Sequence, residues 1–178
     1  MGKPTKHEPV KLVIGLIGKA ELFNVAEKLL CRRFGALDFE SRIIDFTFTD
    51  YYEAKMGSGL KRKFLSFQRK IIPDRLPRIK LYTNALEKKY FSLKGKRFLN
   101  IDPGYLTLSK LVLATTKDHQ HRLYLGKGIF AEITLRFRDK TFRKWEWTYP
   151  DYCTEEYIAI FNHIRNTFLR PGKGKSDE

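Results

Sequence analysis

The densest group of chemically capable side chains runs from Asn100 to Glu132, where Lys110, Lys117, Arg122 and Lys127 accompany His121 and Tyr124, and Asp102, Asp118 and Glu132 supply carboxylates. Phosphate recognition and proton transfer require these residue types. Lysine and arginine fix phosphate oxygens, His121 can titrate near neutral pH, and Asp102 or Glu132 can serve as base or metal ligand. In an extended segment from Ile129 to Phe137, Glu132, Thr134 and Arg136 share one face while Ala131, Ile133 and Leu135 share the other. The competing reading is structural, with Glu132 and Arg136 on a solvated face and Asp102 capping a helix ahead of Pro103.

A second group mixes cations with aromatics. Tyr51, Tyr52, Lys61, Arg62, Lys63, Phe64 and Phe67 form one stretch, and Arg136 to Trp147 another. Aromatic faces stack on bases while cations follow phosphates, which is how single strands are held. Tyr52, Tyr105 and Tyr124 are the stacking candidates. Against this, alternate aromatics on a strand also build a core, and Trp145 and Trp147 alternate with Lys144 and Glu146.

Gly15-Leu16-Ile17-Gly18-Lys19-Ala20 has the wrong spacing for a Walker A loop and lacks the Ser or Thr that would hold magnesium, so it reads as a turn from strand to helix. His119-Gln120-His121 places two imidazoles on one side if extended, but local sequence offers no third ligand. No metal is assigned, and the residues identify no cofactor.

The elements that must position these groups fit one core in 178 residues. Hydrophobic residues at 42% supply enough apolar surface to exclude global disorder. The balance of 35 Lys and Arg against 20 Asp and Glu leaves a net charge of +15, which favours a polyanionic partner such as RNA or a nucleotide. A generally basic proteome or a thermophile's surface would leave the same imbalance. Cys31 and Cys153 have no C-x-x-C spacing, and no apolar run is long enough to span a bilayer, so a reduced, cytoplasmic protein without a membrane role is expected.

Leu12 to Ile17 reads as a buried strand, and Ala20 to Phe34 as a helix stopped by Gly35. Residues 42–50 read as a half-buried strand, another strand surrounds Leu65 and Phe67, and a helix starts at Pro77. Arg97 to Asp102 reads as a strand, followed by a helix or a loop and helix from Tyr105 to Ala114. Strands over Arg122 to Leu125, Ile129 to Phe137 and Phe142 to Tyr149 form a meander, and Thr154 caps a last helix. The expected fold is α+β, a mainly antiparallel sheet with helices packed on it. A single domain spans residues 10–169, with basic tails at 1–9 and 170–178.

Several stretches also resemble a known family. Phe48-Thr49-Asp50-Tyr51-Tyr52, Gly59 to Phe64, Asp102-Pro103-Gly104-Tyr105-Leu106-Thr107, Lys110 to Asp118, His121 to Leu125, Gly128-Ile129 and Trp147-Thr148-Tyr149-Pro150-Asp151-Tyr152 resemble the bacterial domain-of-unknown-function family 4416. That family brings no established activity; a GTP-binding label given to some members finds no P-loop here. The residues themselves lead to a cytosolic protein binding RNA or a nucleotide through a basic groove of Lys61, Arg62, Lys63, Lys110, Lys117, Arg122 and Lys127. The alternatives are a phosphoester- or nucleotide-processing enzyme using His121 with Asp102 and Glu132, or a protein-interaction module.

Overall fold

The computed structural model describes residues 2–48 and 56–169. Tyr51, Tyr52 and the tail from Arg170 onward lie outside the described residues. Residues 2–9 are exposed and carry no regular structure.

The apolar run at Lys11–Gly18 becomes the central strand β1, every residue of which is buried. It pairs antiparallel with β4 (Lys61–Phe67) on one side and β7 (Leu99–Leu106) on the other. The sheet continues outward from β4 to β2 (Leu37–Glu40), and from β7 through β8 (Lys110–Thr115) and β10 (Ile129–Arg138) to β11 (Thr141–Lys144). The two-residue β3 (Ile44–Asp45) joins β4, and β9 (Leu123–Gly126) joins β10, giving nine strands; β5 (Ser92–Leu93) and β6 (Lys96–Arg97) form a separate hairpin.

Alternation along β1 assigns its two faces. Leu12, Ile14 and Leu16 pack beneath α1 (Phe23–Phe34) and α2 (Leu76–Tyr90), joined by Leu65 and Phe67. Val13 belongs to the opposite core, with Phe64, Leu111 and Leu135 under α3 (Glu155–Leu169), whose Tyr157, Phe161 and Ile164 face inward. Thr154 starts that helix as expected, its Oγ1 accepting from the Tyr157 N–H at 3.3 Å. One domain with a mainly antiparallel sheet and helices on both faces is the α+β fold that the sequence predicts.

Four local expectations fail for identifiable reasons. Gly15 to Gly18 is not a turn; both glycines are strand residues, and the turn falls at Lys19–Leu22, where the Leu22 N–H donates to the Lys19 carbonyl. Tyr105 to Ala114 is not helical. It is the β7–β8 hairpin, turned by the Thr107 hydroxyl, which accepts from the N–H groups of Ser109 and Lys110. The strand expected over 42–50 shrinks to Ile44–Asp45 within the described residues. The last meander strand stops at Lys144, because Thr148 closes a turn: its Oγ1 accepts from the Trp145 N–H at 2.8 Å and donates to the Thr134 carbonyl at 2.7 Å.

β7 and β8 are paired only over Gly104–Leu106 and Leu111–Leu113. There they approach so closely that a Cβ on Gly104 would lie 2.3 Å from the Val112 carbonyl oxygen. Beyond Gly104 stands Pro103, which has no N–H, and the strands separate. Gly104→Ala should therefore force β8 outward and cost roughly 1–3 kcal/mol in urea unfolding. An unchanged unfolding midpoint would show that the close approach is not needed.

Candidate binding cleft

The gap left between β7 and β8 is a cleft of about 780 Å³, within the range of small-molecule sites. Ile101 stands on its edge. Its backbone points away from β1 toward the side that β8 has left, and helix α2 replaces the missing strand. Glu87 Oε1 accepts the Ile101 N–H at 2.7 Å, and Lys80 Nζ reaches the Ile101 carbonyl at 3.3 Å. Lys80, Asn84 and Glu87 occupy one helical stripe, so a single face of α2 presents three polar side chains to the cleft. Burial raises the pKa of Glu87 from its ordinary value, and Lys80, the Ile101 N–H and Arg97 only partly oppose it.

Asp102 lies beside Ile101, in a strand rather than at a helix cap. It accepts hydrogen bonds from Lys80 at 3.0 Å and from Asn100. Desolvation alone would raise its pKa, but Lys80 and Arg62, together with the hydrogen bonds from Lys80 and Asn100, outweigh it and hold the carboxyl below its ordinary value. Asp102 is therefore a fixed anion at neutral pH and a weak proton acceptor.

Arg62 forms the floor. It is 2% exposed and packs closely over Gly15 of β1, where a Cβ would meet Arg62 Nη1 at 3.1 Å. Arg62 Nη2 donates to Asp151 Oδ2 at 2.7 Å, and the guanidinium carbon lies 4.9 to 5.6 Å from the ring centroids of Phe64, Tyr152, Phe46 and Tyr157. Burial opposes its charge, but the phenol of Tyr152, Asp151, Tyr157 and Asp102 outweigh that cost and keep it ionised. Nη1 is buried with no hydrogen-bond partner.

The remaining expected residues divide. Lys117, Arg122 and Glu132 do line the cleft. Glu132 is 3% exposed and accepts from Arg122 Nε at 2.8 Å and from His121 Nε2 at 3.3 Å, so it is not on a solvated face. A bulge is responsible. Thr134 has no partner in β8, which moves Leu135 to the α3 face while Ala131 stays on the α2 side and Ile133 is exposed. Arg122 also holds the Lys117 carbonyl and the Tyr149 hydroxyl, each at 3.0 Å, so much of its donor capacity serves the wall. His121 touches Glu132 but belongs to a neighbouring surface pocket, separated from Asp102 by the wall of Arg122 and Tyr149 that both pockets share.

Lys61, Arg62 and Lys63 do not act as a basic triplet, because consecutive strand residues point to opposite faces. Lys63 is paired with Glu27 at 2.7 Å and Glu40 at 2.6 Å on the α1 side, and Lys61 is paired with Asp45. Lys110 stands at the far end of β8, opposite Arg136, and Lys127 occupies the β9–β10 turn with positive φ. Of the stacking candidates, Tyr105 packs against the Leu76 cluster, and Tyr124, 63% exposed, lies against Phe130; Tyr52 is outside the described residues. Among the described residues, the aromatics that do line the cleft are Phe46, Phe48, Tyr149 and Tyr152. Burial is the leading cause that pushes both cysteine thiols up, so neither is an activated nucleophile.

Lys80, Asn84, Glu87, Asn100 and Asp151 were not singled out from sequence. The Asn100-x-Asp102 pair inside an apolar strand, and the polar i, i+4, i+7 stripe on an otherwise amphipathic helix, are the signals that mark them.

The architecture is thus that of an α+β domain with a polar cleft cut into its own sheet. The chain belongs to the family described as Domain of unknown function (DUF4416), whose profile matches residues 8–168. No curated protein and no solved structure matches it.

Because the folded-state pKa of Asp102 is depressed, its stabilising contribution is complete above about pH 4 and is lost as pH falls through the folded value. Stability curves of the protein and its Asp102→Asn variant should differ at neutral pH and converge in acid. Curves that remain parallel throughout would remove this assignment.

Proposed function

We propose that the cleft binds a small phosphate-bearing ligand of nucleotide size, and that the protein is a cytoplasmic binding protein for it. The observation that carries the reading is Arg62, an ionised guanidinium that lines a polar cleft and whose buried Nη1 has no hydrogen-bond partner. Leaving such a donor unpaired costs about 1–3 kcal/mol or more, a cost that an incoming anion removes. A guanidinium matches phosphate oxygens in geometry as well as charge. The amides of Asn84 and Asn100 and the rings of Phe46 and Phe48 line the same cleft and offer hydrogen bonds and stacking surfaces for a base.

A nucleotide fits this arrangement better than a long RNA. Arg62, Lys80, Arg97, Lys117 and Arg122 are opposed by Glu87, Asp102, Glu132 and Asp151, so the cleft has little net charge with which to track a polyanion. Binding is also favoured over phosphoester catalysis, since Asp102 is held ionised as a weak base and His121 lies outside the cleft. Two unpaired cysteines, and no helix among the described residues long and apolar enough to cross a membrane, are compatible with the cytoplasm.

Calorimetric titration with ATP, GTP, nucleoside monophosphates and inorganic phosphate should show binding by at least one nucleotide. Arg62→Lys keeps a charge beside Asp151 but removes the planar fork, and should weaken binding tenfold or more with helix content intact by circular dichroism. Thr116→Trp, at an exposed wall position, should block entry without disturbing the core. If both variants bind as the parent does, or no nucleotide binds, the proposal fails. Binding of single-stranded RNA alone, with log affinity falling by about 0.7 per contacted phosphate against log salt, would replace it with the RNA reading.

A further inference from the structure

Beside the cleft, His119 to Arg122 forms a turn closed by the Arg122 N–H donating to the His119 carbonyl at 2.9 Å. The turn brings His119 Nδ1 and His121 Nδ1 to 3.2 Å from each other. His121 is held on two sides. Its Nε2 lies 3.3 Å from Glu132 Oε2, and its ring stacks on Trp147 at 5.4 Å with an interplanar angle of 10°. Trp147 is itself stacked on Trp145 and donates its Nε1–H to the Ile133 carbonyl at 3.1 Å.

The Glu132 contact decides the tautomer. A carboxylate accepts only, so neutral His121 carries its proton on Nε2 and turns the Nδ1 lone pair toward His119. A carboxylate fixing one imidazole nitrogen while the other is offered outward is the outer-shell arrangement of metal-bound histidine. The separation fits as well. Two nitrogens 3.2 Å apart and each about 2.05 Å from a shared ion subtend roughly 100° at it, close to a tetrahedral edge.

We propose that His119 and His121 form a two-imidazole site for a borderline divalent cation, Zn²⁺ in the first place, with Glu132 as the carboxylate that orients His121. Before binding, His119 Nδ1–H donates to His121; on binding, His119 carries its proton on Nε2 instead, and both Nδ1 lone pairs meet the ion. Imidazole ligands select Zn²⁺, Ni²⁺ and Cu²⁺ over Mg²⁺ and Ca²⁺. No cluster of three or more His, Cys, Asp or Glu among the described residues is placed to hold a metal ion, so the other positions are open to water or to an added ligand. Glu146 lines the same surface pocket and adds negative charge near the ion. The two imidazoles lie outside the proposed ligand cleft, which shares Glu132 with this site, and the site stands whether or not a nucleotide binds there.

The test is calorimetry of the tag-free full chain with ZnCl₂, and tryptophan fluorescence with CuCl₂, whose paramagnetic ion would quench the indole stacked on His121. Zinc should bind at one equivalent with a dissociation constant on the order of 10 µM, and magnesium should not bind. His119→Ala, an exposed position, should weaken zinc at least tenfold and relieve the copper quenching. Glu132→Gln should weaken zinc by roughly ten- to a hundredfold. Absence of binding at millimolar zinc overturns the site, and so does a His119→Ala variant that binds and quenches like the parent, since the ion would then sit elsewhere, for example at His7 or His163. If His121→Ala fails to fold, His119→Ala still decides.

Discussion

The ion pair between Arg62 and Asp151 is the constraint around which much of the molecule is arranged. A guanidinium withdrawn from water carries a desolvation cost of several kcal/mol, and removing one partner of such a pair typically costs about 3–5 kcal/mol because the other charge is left alone. Gly15 on the central strand lies beneath it, where a Cβ would approach Nη1 to 3.1 Å. Four aromatic rings supply faces for its charge, and the Pro150–Cys153 turn is held over the sheet so that Asp151 can reach it. Tyr157 ties the same group to α3, its hydroxyl 3.4 Å from Arg62 Nε. The residue that most constrains the α3-side core therefore also lines the cleft, and its buried Nη1 has no hydrogen-bond partner.

The cleft depends on a second economy. A sheet that parts between two neighbouring strands exposes backbone groups, and these must be satisfied if the gap is to remain dry-walled and open. Lys80 and Glu87 do this for Ile101 from a helix that packs on the other side of the sheet. The same Lys80 then holds Asp102 ionised, so the groups that stabilise the opening also set its electrostatics. Such a site is preorganised, because its polar side chains are held by one another before any ligand arrives.

The net charge of +15 does not collect at this opening. Lys61 and Lys63 on β4 are ion-paired, Lys110 stands at the far end of β8 and Lys127 in the β9–β10 turn. Their contribution is the field of the whole molecule, which raises the local concentration of anions and keeps chains apart.

Much of the fold was legible. The unbroken apolar run of β1, the 3.6-residue spacing of the helices and the Thr154 cap are local signals, and a local signal survives in any context. So were the cleft residues Asp102, Lys117, Arg122 and Glu132, whose chemical types stood out. Sequence alone thus determined the class of fold and the kind of chemistry on offer. What only the tertiary structure decided was which charges meet. The Thr134 bulge reverses the phase of β10, adjacent cations on β4 are sent to opposite faces, and Ile101 loses a strand partner to a helix; each follows from long-range packing, in which residues tens of positions apart compete for the same space and the same hydrogen bonds.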